Sequence, residues 1–447
     1  MKKVITYGTF DLFHVGHENL LRRAKALGDY LIVGVTSEQY DRERGKLNVY
    51  QSLMQRIENV RQSGFADQII IEEREAQKLE DIIKYAVDIF AIGSDWLGEF
   101  DYLKEYCDVI YLDRTKDISS TDIRNSNGHM VNLGVMGCEQ MANAFIPESK
   151  YVSGVNIRSV YSPDLSAAKS FSEKYSLKFF SHDFDDFITT TDAVYITTPI
   201  QFRGKYIRKC LESGRHVLCE KPITLEKAEI EELFALANSR GLVLMEAVET
   251  AYAPGFIRLV SLVKSGMIGE IRDADVSITL PQKEKQYGLG VGEAKSSMCE
   301  LATYALLPIV KVFGTAYEKI DFLPYFANGA DQFTRGVLKF PSGSASFRVG
   351  FGVQSEGGLV ISGTRGYAYV PAPWWKTEYF ELRFEDSSAT RKYFYKFEGD
   401  GMRYELNEFA RAITLNDPTA KRCLSEEQTI AMVGVIDKFN SEFQVIS

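Results

Sequence analysis

The sequence predicts an α/β chain: two successive parallel-sheet units, the second running into a largely antiparallel sheet. Three observations carry this. Short apolar runs alternate with amphipathic helical stretches between residues 4 and 112. The same alternation restarts at Val131, just beyond the polar, turn-rich run Asn125-Ser126-Asn127-Gly128-His129. From about residue 270 strand-like patterns dominate and helical ones become few.

In the first unit, strands are read at 4–6, 30–35, 68–71, 89–92 and 109–112. Between the first two, Leu20, Leu21, Ala24 and Leu27 recur at the spacing of one helical face, and Gly28 stands where that helix would end. In the second unit, strands are read at 131–136, 157–161, 193–197, 217–218 and 243–245. Further strands follow at 274–280, 345–350, 359–362, 367–370, 379–384 and 392–397, then helices over 402–413 and 425–443. The domains expected are 1–125, a linker at 126–130, then 131–250 and 251–447.

Composition bounds the function. The 447 residues carry 52 Lys+Arg against 61 Asp+Glu, net −9, and 45% are hydrophobic. That is an ordinary globular balance, which excludes a disordered or fibrous chain. Charge is spread evenly with no basic stripe, so nucleic acid is not an expected partner. No apolar run reaches about 18 residues, so no membrane span is expected. The opening Met1-Lys2-Lys3-Val4-Ile5-Thr6-Tyr7 meets polar residues too soon for a signal peptide core. Cys107, Cys138, Cys210, Cys219, Cys299 and Cys423 form no metal-ligand spacing and read as reduced thiols of a cytoplasmic protein.

The first chemistry-bearing segment is Gly8-Thr9-Phe10-Asp11-Leu12-Phe13-His14-Val15-Gly16-His17, between the first strand and first helix. Ligands of open α/β sheets bind at that edge. His14 and His17 are three apart, so a helix start places both on one face, and Gly16 lets an anion approach the backbone. Only five His exist in the chain, and two stand here. Imidazoles and helix-terminal N–H groups together suit charge developing on a phosphoryl group.

This segment resembles the nucleotidyltransferases with an HxGH signature, and within them the bacterial glycerol-3-phosphate cytidylyltransferases. The likeness spans residues 1–124 and includes Arg56, Gly93-Ser94-Asp95-Trp96 and the run from Arg114 to Thr121. It implies a Rossmann-like nucleotidyltransferase domain that joins CTP and a small alcohol phosphate, glycerol 3-phosphate first, into a CDP-alcohol and pyrophosphate with Mg²⁺. CDP-glycerol of this kind feeds teichoic acid or capsule polymers. The implied catalytic groups are His14, His17, Lys46 and Arg114. The implied nucleotide and substrate contacts are Thr9, Phe10, Asp11, Gly16, Arg56, Asp95, Trp96, Thr115, Ile118, Ser119, Ser120 and Thr121, with Asp11 also the candidate Mg²⁺ ligand. Lys116-Asp117 replaces the family's usual Glu-Gly, and the run 118–124 fits adenylyltransferases of the same superfamily equally well, so ATP stays open as the nucleotide.

The second segment, Val131-Asn132-Leu133-Gly134-Val135-Met136-Gly137-Cys138-Glu139-Gln140-Met141-Ala142, has the strand–turn–helix placement of a dinucleotide fingerprint. Thr197-Thr198-Pro199, Glu220-Lys221-Pro222, Met245-Glu246-Ala247 and Gly266-Met267-Ile268-Gly269-Glu270-Ile271 follow in that order. Together they resemble the glucose–fructose oxidoreductase/inositol dehydrogenase family over residues 131–445. The likeness implies a dinucleotide-binding Rossmann domain followed by an α+β domain with a largely antiparallel sheet, NAD or NADP as cofactor, hydride transfer at an alcohol or carbonyl carbon, and a homo-oligomer. Lys221 and Tyr304 match catalytic positions. Gly137, Cys138, Glu139, Gln140, Met141, Ser162, Thr198, Pro199, Glu220 and Lys221 match cofactor positions. Glu139 stands where the family has its second glycine, Arg203 where His is frequent, and Ala251 where Arg is common. Three roles for this module stay open: a reductase supplying the alcohol phosphate, a degenerate scaffold, and a sensor. Trp374-Trp375 is read as a subunit interface in preference to a sugar-stacking platform.

Overall fold

The structure is a computed structural model, described at residues 1–43, 49, 51–74, 76–113, 130–281, 296–415 and 423–444. The chain divides into two units, Met1–Met130 with Tyr151–Gly154, and Val131–Lys150 with Val155–Ser447.

The first unit is a five-stranded sheet of β1 (Lys3–Gly8), β2 (Tyr30–Thr36), β3 (Gln68–Glu72), β4 (Ile89–Gly93) and β5 (Asp108–Leu112). The order is β3-β2-β1-β4-β5 and every pair is parallel. Helices α1 (Val15–Lys25), α2 (Glu38–Glu43), α3 (Leu53–Gln62) and α4 (Gln77–Tyr85) make the crossovers. Side chains alternate across a strand, so Val4 and Ile5 enter different apolar layers. Val4 packs with Leu21, Ala24, Val33 and Val60, and Ile5 with Ile32, Ile82 and Phe90. Both faces are therefore covered, which is why these strands read as continuous apolar runs.

The second unit opens with β6 (Val131–Met136), α5 (Gln140–Ser149), β7 (Val155–Tyr161), α6 (Leu165–Tyr175), β8 (Phe179–Ser181), α7 (Phe184–Thr189), β9 (Ala193–Ile196), α8 (Ile200–Glu212), β10 (His216–Glu220), α9 (Lys227–Ser239) and β11 (Leu244–Ala247). Its six strands are parallel, in the order β11-β10-β9-β6-β7-β8. Then come α10 (Glu249–Tyr252), α11 (Pro254–Lys264), β12 (Ile271–Leu280), α12 (Ser297–Phe313), β13 (Lys319–Ala327), β14 (Ala330–Phe340), β15 (Gly343–Phe351), β16 (Leu359–Gly363), β17 (Gly366–Val370), β18 (Tyr379–Phe384), β19 (Arg391–Phe394), α13 (Met402–Leu415) and α14 (Glu426–Phe443). The last eight strands form one sheet, β13-β14-β15-β12-β16-β17-β18-β19. Only β12 and β15 run parallel. The α/β class with a largely antiparallel second sheet is thus the architecture present.

The elements that escaped the sequence pattern include the short strand β8, helix α12 and strands β13 and β14. Helix α12 buries Met298, Leu301, Ala302, Ala305, Leu306, Leu307, Ile309 and Val310. With apolar residues on nearly every side it shows no 3.6-residue stripe. Strand β13 carries Pro324 and exposes Leu323 and Tyr325, which hides its alternation. Its partner β14 is a regular alternating strand that the reading passed over.

The Trp374 expectation needs correction. Its side chain is fully buried within its own unit, and Nε1 donates to the Ser277 carbonyl at 2.9 Å. An indole so enclosed is core, so it forms neither a subunit face nor a sugar platform. Replacing it, Trp374→Ala, is expected to cost about 3–5 kcal/mol, the usual range for a buried Trp truncation. Urea unfolding of the second unit measures this, and a loss under about 1 kcal/mol would contradict the assignment.

Candidate active sites at two sheet edges

In the first sheet the strand order reverses direction between β1 and β4, and the loops after those strands flank the crevice where such sheets bind ligands. His14 is the N-cap of α1, and its Nδ1 accepts from the Gly16 N–H at 3.0 Å. An Nδ1 that accepts leaves the proton of the neutral ring on Nε2, which is then a donor. His17, one turn on, stacks against His14 with ring centroids 3.9 Å apart and 24° between planes. Phe10 and Phe13 pack against His17 at 5.4 and 5.6 Å. The two imidazoles therefore form one half-buried cluster at the helix start, as their spacing predicts.

The loop carrying them is strained. Phe10 and Leu12 sit at φ 52° and 47°, a region that side chains with a Cβ enter at a cost of about 1–2 kcal/mol each. Four hydrogen bonds hold that shape. Arg56 Nη1 donates to the carbonyls of Thr9 and Thr36, both at 2.9 Å. Gln51 Oε1 accepts from Leu12 N–H at 2.9 Å, and Asp11 Oδ1 accepts from Gln51 N–H at 2.9 Å. Arg56 is fully buried and pairs with buried Asp41 at 3.3 Å, whose Oδ1 also takes the Thr9 hydroxyl at 3.2 Å. Arg56 thus faces the backbone at Thr9 and Thr36, and the Thr9 hydroxyl faces the Asp41 carboxylate. Trp96 lies beyond β4, 45% exposed, with Phe100 at 5.9 Å. Lys46, Arg114, Thr115, Ile118, Ser119, Ser120 and Thr121 lie outside the described residues, as does the Asp95 side chain.

In the second unit the equivalent reversal lies between β6 and β9. Gly137 follows β6 at φ 115°, and a Cβ there would stand 2.3 Å from Thr197 Oγ1. Only glycine satisfies both conditions, so the backbone hugs the end of β9. Glu139, by contrast, has φ −83° and an exposed side chain, and makes no capping bond to α5. Position 139 has a backbone that any L residue adopts, and its carboxylate faces solvent. That carboxylate makes no bond to the N-terminus of α5. Gln140 and Met141 are exposed in the first turn of α5, and burial pushes the Cys138 thiol up to about 11. Thr198 Oγ1 is buried without a hydrogen-bond partner, the kind of orphan that a bound ligand satisfies. Pro199 caps α8. Ser162 follows β7, while Asp164 is committed as the cap of α6, accepting from Ser166 and Ala167 N–H. These residues fit a dinucleotide.

At the ends of β10 and β11 stands the reactive cluster. Lys221 Nζ lies 4.5 Å from the Tyr304 ring centroid. Tyr304 Oη donates to Glu249 Oε1 at 2.6 Å. Burial, then the Glu249 charge, holds the Tyr304 phenol well above its ordinary range. Buried Glu220 accepts from Tyr195, and Arg203 donates to the carbonyls of Thr198, Glu220 and Pro222 at 2.7–2.9 Å. Lys221 and Tyr304 are thus brought together from sites 83 positions apart in sequence. Sequence reasoning missed Glu249, although its place just past the end of β11 marked it.

Residues 5–126 match the family model described as cytidylyltransferase-like, and residues 131–248 match the oxidoreductase family, NAD-binding Rossmann fold. Glycerol-3-phosphate cytidylyltransferase of Bacillus spizizenii is 51% identical over 124 residues, 28% of this chain and 95% of that protein. Trans-1,2-dihydrobenzene-1,2-diol dehydrogenase of Bos taurus is 28% identical over 270 residues, 58% of this chain and 79% of that protein. A 3-ketoreductase from Actinomadura kijaniata, solved with TDP-benzene and NADP, shares the fold at TM-score 0.59 and 20% identity, covering 69% of this chain and 96% of that one. Among the described residues no helix is long and apolar enough to cross a membrane. Through its N-terminal unit the chain belongs to the cytidylyltransferase-like family, as a glycerol-3-phosphate cytidylyltransferase-type domain, joined to an oxidoreductase-family NAD(P)-binding Rossmann module.

Proposed function

We propose that the N-terminal unit condenses CTP with glycerol 3-phosphate, and that the second unit makes that alcohol phosphate by reducing a keto-phosphate with NAD(P)H. The observation that carries the first half is the stacked His14–His17 pair on a strained loop at the sheet edge. The acceptor phosphate is already ionised, so the step needs alignment and charge neutralisation and no general base. A phosphate oxygen bonds to the α-phosphorus of CTP, and the bond to the β-phosphate oxygen breaks to release pyrophosphate. His14 Nε2–H and His17 would donate to the α-phosphoryl oxygens as charge grows there. Mg²⁺ would arrive with the triphosphate, which supplies most of its ligands, with Asp11 the nearby carboxylate. Six free thiols support a reducing, cytoplasmic setting, and exposed Leu323, Tyr325 and Phe326 on β13 support a homo-oligomer.

When bound, a reduced nicotinamide supplies a hydride to a carbonyl carbon. Gly137 would let the pyrophosphate approach the backbone, the open α5 N-terminus would face it, and Thr198 would gain its missing partner. Lys221 would polarise the carbonyl oxygen and Tyr304 would protonate it. The NADP-bound neighbour favours NADP over NAD.

Two experiments test this reading. His14→Ala or His17→Ala is expected to slow CDP-glycerol formation about 10²–10³-fold without unfolding the chain. Wild-type activity with CTP and none with ATP is expected, and the opposite preference would make the chain an adenylyltransferase. Mass spectrometry of the denatured protein, with titration of the apoprotein, is expected to show NADP(H) binding. Gly137→Ala should weaken that binding about tenfold or more, given the cost of a Cβ at that φ. Glu139→Gly should change it less than that. A wild type that binds no dinucleotide while Glu139→Gly binds one would make the second unit a degenerate scaffold.

A further inference from the structure

The reductase reading uses Lys221 and Tyr304 and leaves Glu249 unexplained. Glu249 is the first residue of α10 and packs beside Gly401, where a Cβ would come within 3.2 Å of its own. A carboxylate there is costly unless it serves a partner. Its partner is the Tyr304 hydroxyl at 2.6 Å, and Lys221 Nζ stands over that phenol ring, 4.5 Å from its centroid. We infer that Glu249 is a positioning residue that sets where the Tyr304 hydroxyl proton points, and so couples proton delivery to its own protonation. The inference rests on the reductase reading for its catalytic meaning, while the coupling itself is a property of this chain alone.

The logic is a hydrogen-bond count. An ionised carboxylate only accepts, so the Tyr304 proton is then held on Glu249 and faces away from any substrate oxygen. A neutral carboxyl carries one proton of its own. That proton can be donated to Tyr304 Oη, which frees the phenolic proton to turn toward a carbonyl oxygen. When the phenol O–H bond breaks and the proton bonds to the reduced oxygen, the Glu249 O–H bond breaks in turn and restores the phenol. The carboxylate then regains a proton from water, so every proton is accounted for. In the oxidising direction the same chain runs backwards, with the ionised carboxylate as acceptor.

The surroundings poise the group for this. Burial raises Glu249 above the ordinary carboxylate range, Lys221 and the Tyr304 hydrogen bond pull it down, and Glu220 pushes it up again. From α13, Glu405 is buried and held well above its usual value, chiefly by burial and then by Glu220 and Glu249. The neighbouring Glu148 is neutralised by Arg403 through two bonds at 2.7 and 2.9 Å. Tyr252, three residues along α10, is likewise held protonated by burial. Lys221 is thus the cation facing Glu249 among these described groups, and the acids around it favour the neutral form.

The test needs no turnover. Infrared difference spectra of the full chain, wild type minus Glu249→Gln, isolate the Glu249 carboxyl from Glu246, which burial pushes up to about 7. A neutral-carboxyl band should disappear in Glu249→Gln, and in Tyr304→Phe its titration midpoint should move up, because the donor that stabilises the carboxylate is gone. Absence of that band between pH 5 and pH 8, or an unmoved midpoint in Tyr304→Phe, overturns the inference. Thermal melts confirm that both variants fold. If wild type oxidises NADPH with dihydroxyacetone phosphate, its rate should fall as pH rises through that midpoint. Glu249→Gln should then be about 10²-fold slower with the pH dependence removed. Parallel pH profiles would also overturn the inference. Spectral coupling without any NADPH oxidation would sink the reductase reading and leave the proton coupling standing.

Discussion

The constraint on which both sites depend is that a parallel sheet ends all its strands on one edge. At the point where strand order reverses, two neighbouring loops part and leave a crevice into which backbone N–H groups and side chains from distant segments can point. The chain builds that arrangement twice, between β1 and β4 and between β6 and β9. Each copy is locked differently. In the first, the buried Arg56–Asp41 pair ties the ends of β1 and β2 and holds a loop with two left-handed residues. In the second, Gly137 presses against Thr197, so close approach is achieved by omission of a side chain.

The electrostatics of the two edges differ as their chemistries require. The first offers stacked imidazoles and the N-terminus of α1, donors suited to an anion whose charge shifts during transfer. The second sets Lys221 among the charges of Glu249 and Glu405 and against the Tyr304 ring, with Tyr195 bonded to the adjacent Glu220. Such a cluster manages protons better than it manages fixed negative charge. One α/β architecture thus frames two different side-chain sets, and the difference lies in the residues that strand ends, loops and helices bring to each edge.

Much of this was legible in the sequence, for physical reasons. Strands buried on both faces read as apolar runs, and the His14–His17 spacing announced one helical face. Lys221 was legible only through the resemblance of Glu220-Lys221-Pro222 to a family motif. Other features were not legible. The left-handed Phe10 and Leu12 carry no glycine to betray them. At Glu139 the sequence shows the charge but not the φ of −83° or the exposure of the side chain. The Tyr304–Glu249 bond joins positions 55 apart, and no periodicity reports such a contact. Helix α12 hid because a helix enclosed by its own unit loses the polar stripe on which recognition depends.

The central claim is that one chain performs two consecutive steps, reduction to an alcohol phosphate and its cytidylylation. One measurement addresses it directly: incubate the protein with dihydroxyacetone phosphate, CTP and NADPH deuterated at the transferable position of the nicotinamide, then read the CDP-alcohol by mass spectrometry. The account expects CDP-glycerol one deuterium heavier, with the label on the central glycerol carbon. Unlabelled CDP-glycerol formed only when glycerol 3-phosphate is supplied would contradict it, and would reduce the second unit to a companion of a single cytidylyltransferase.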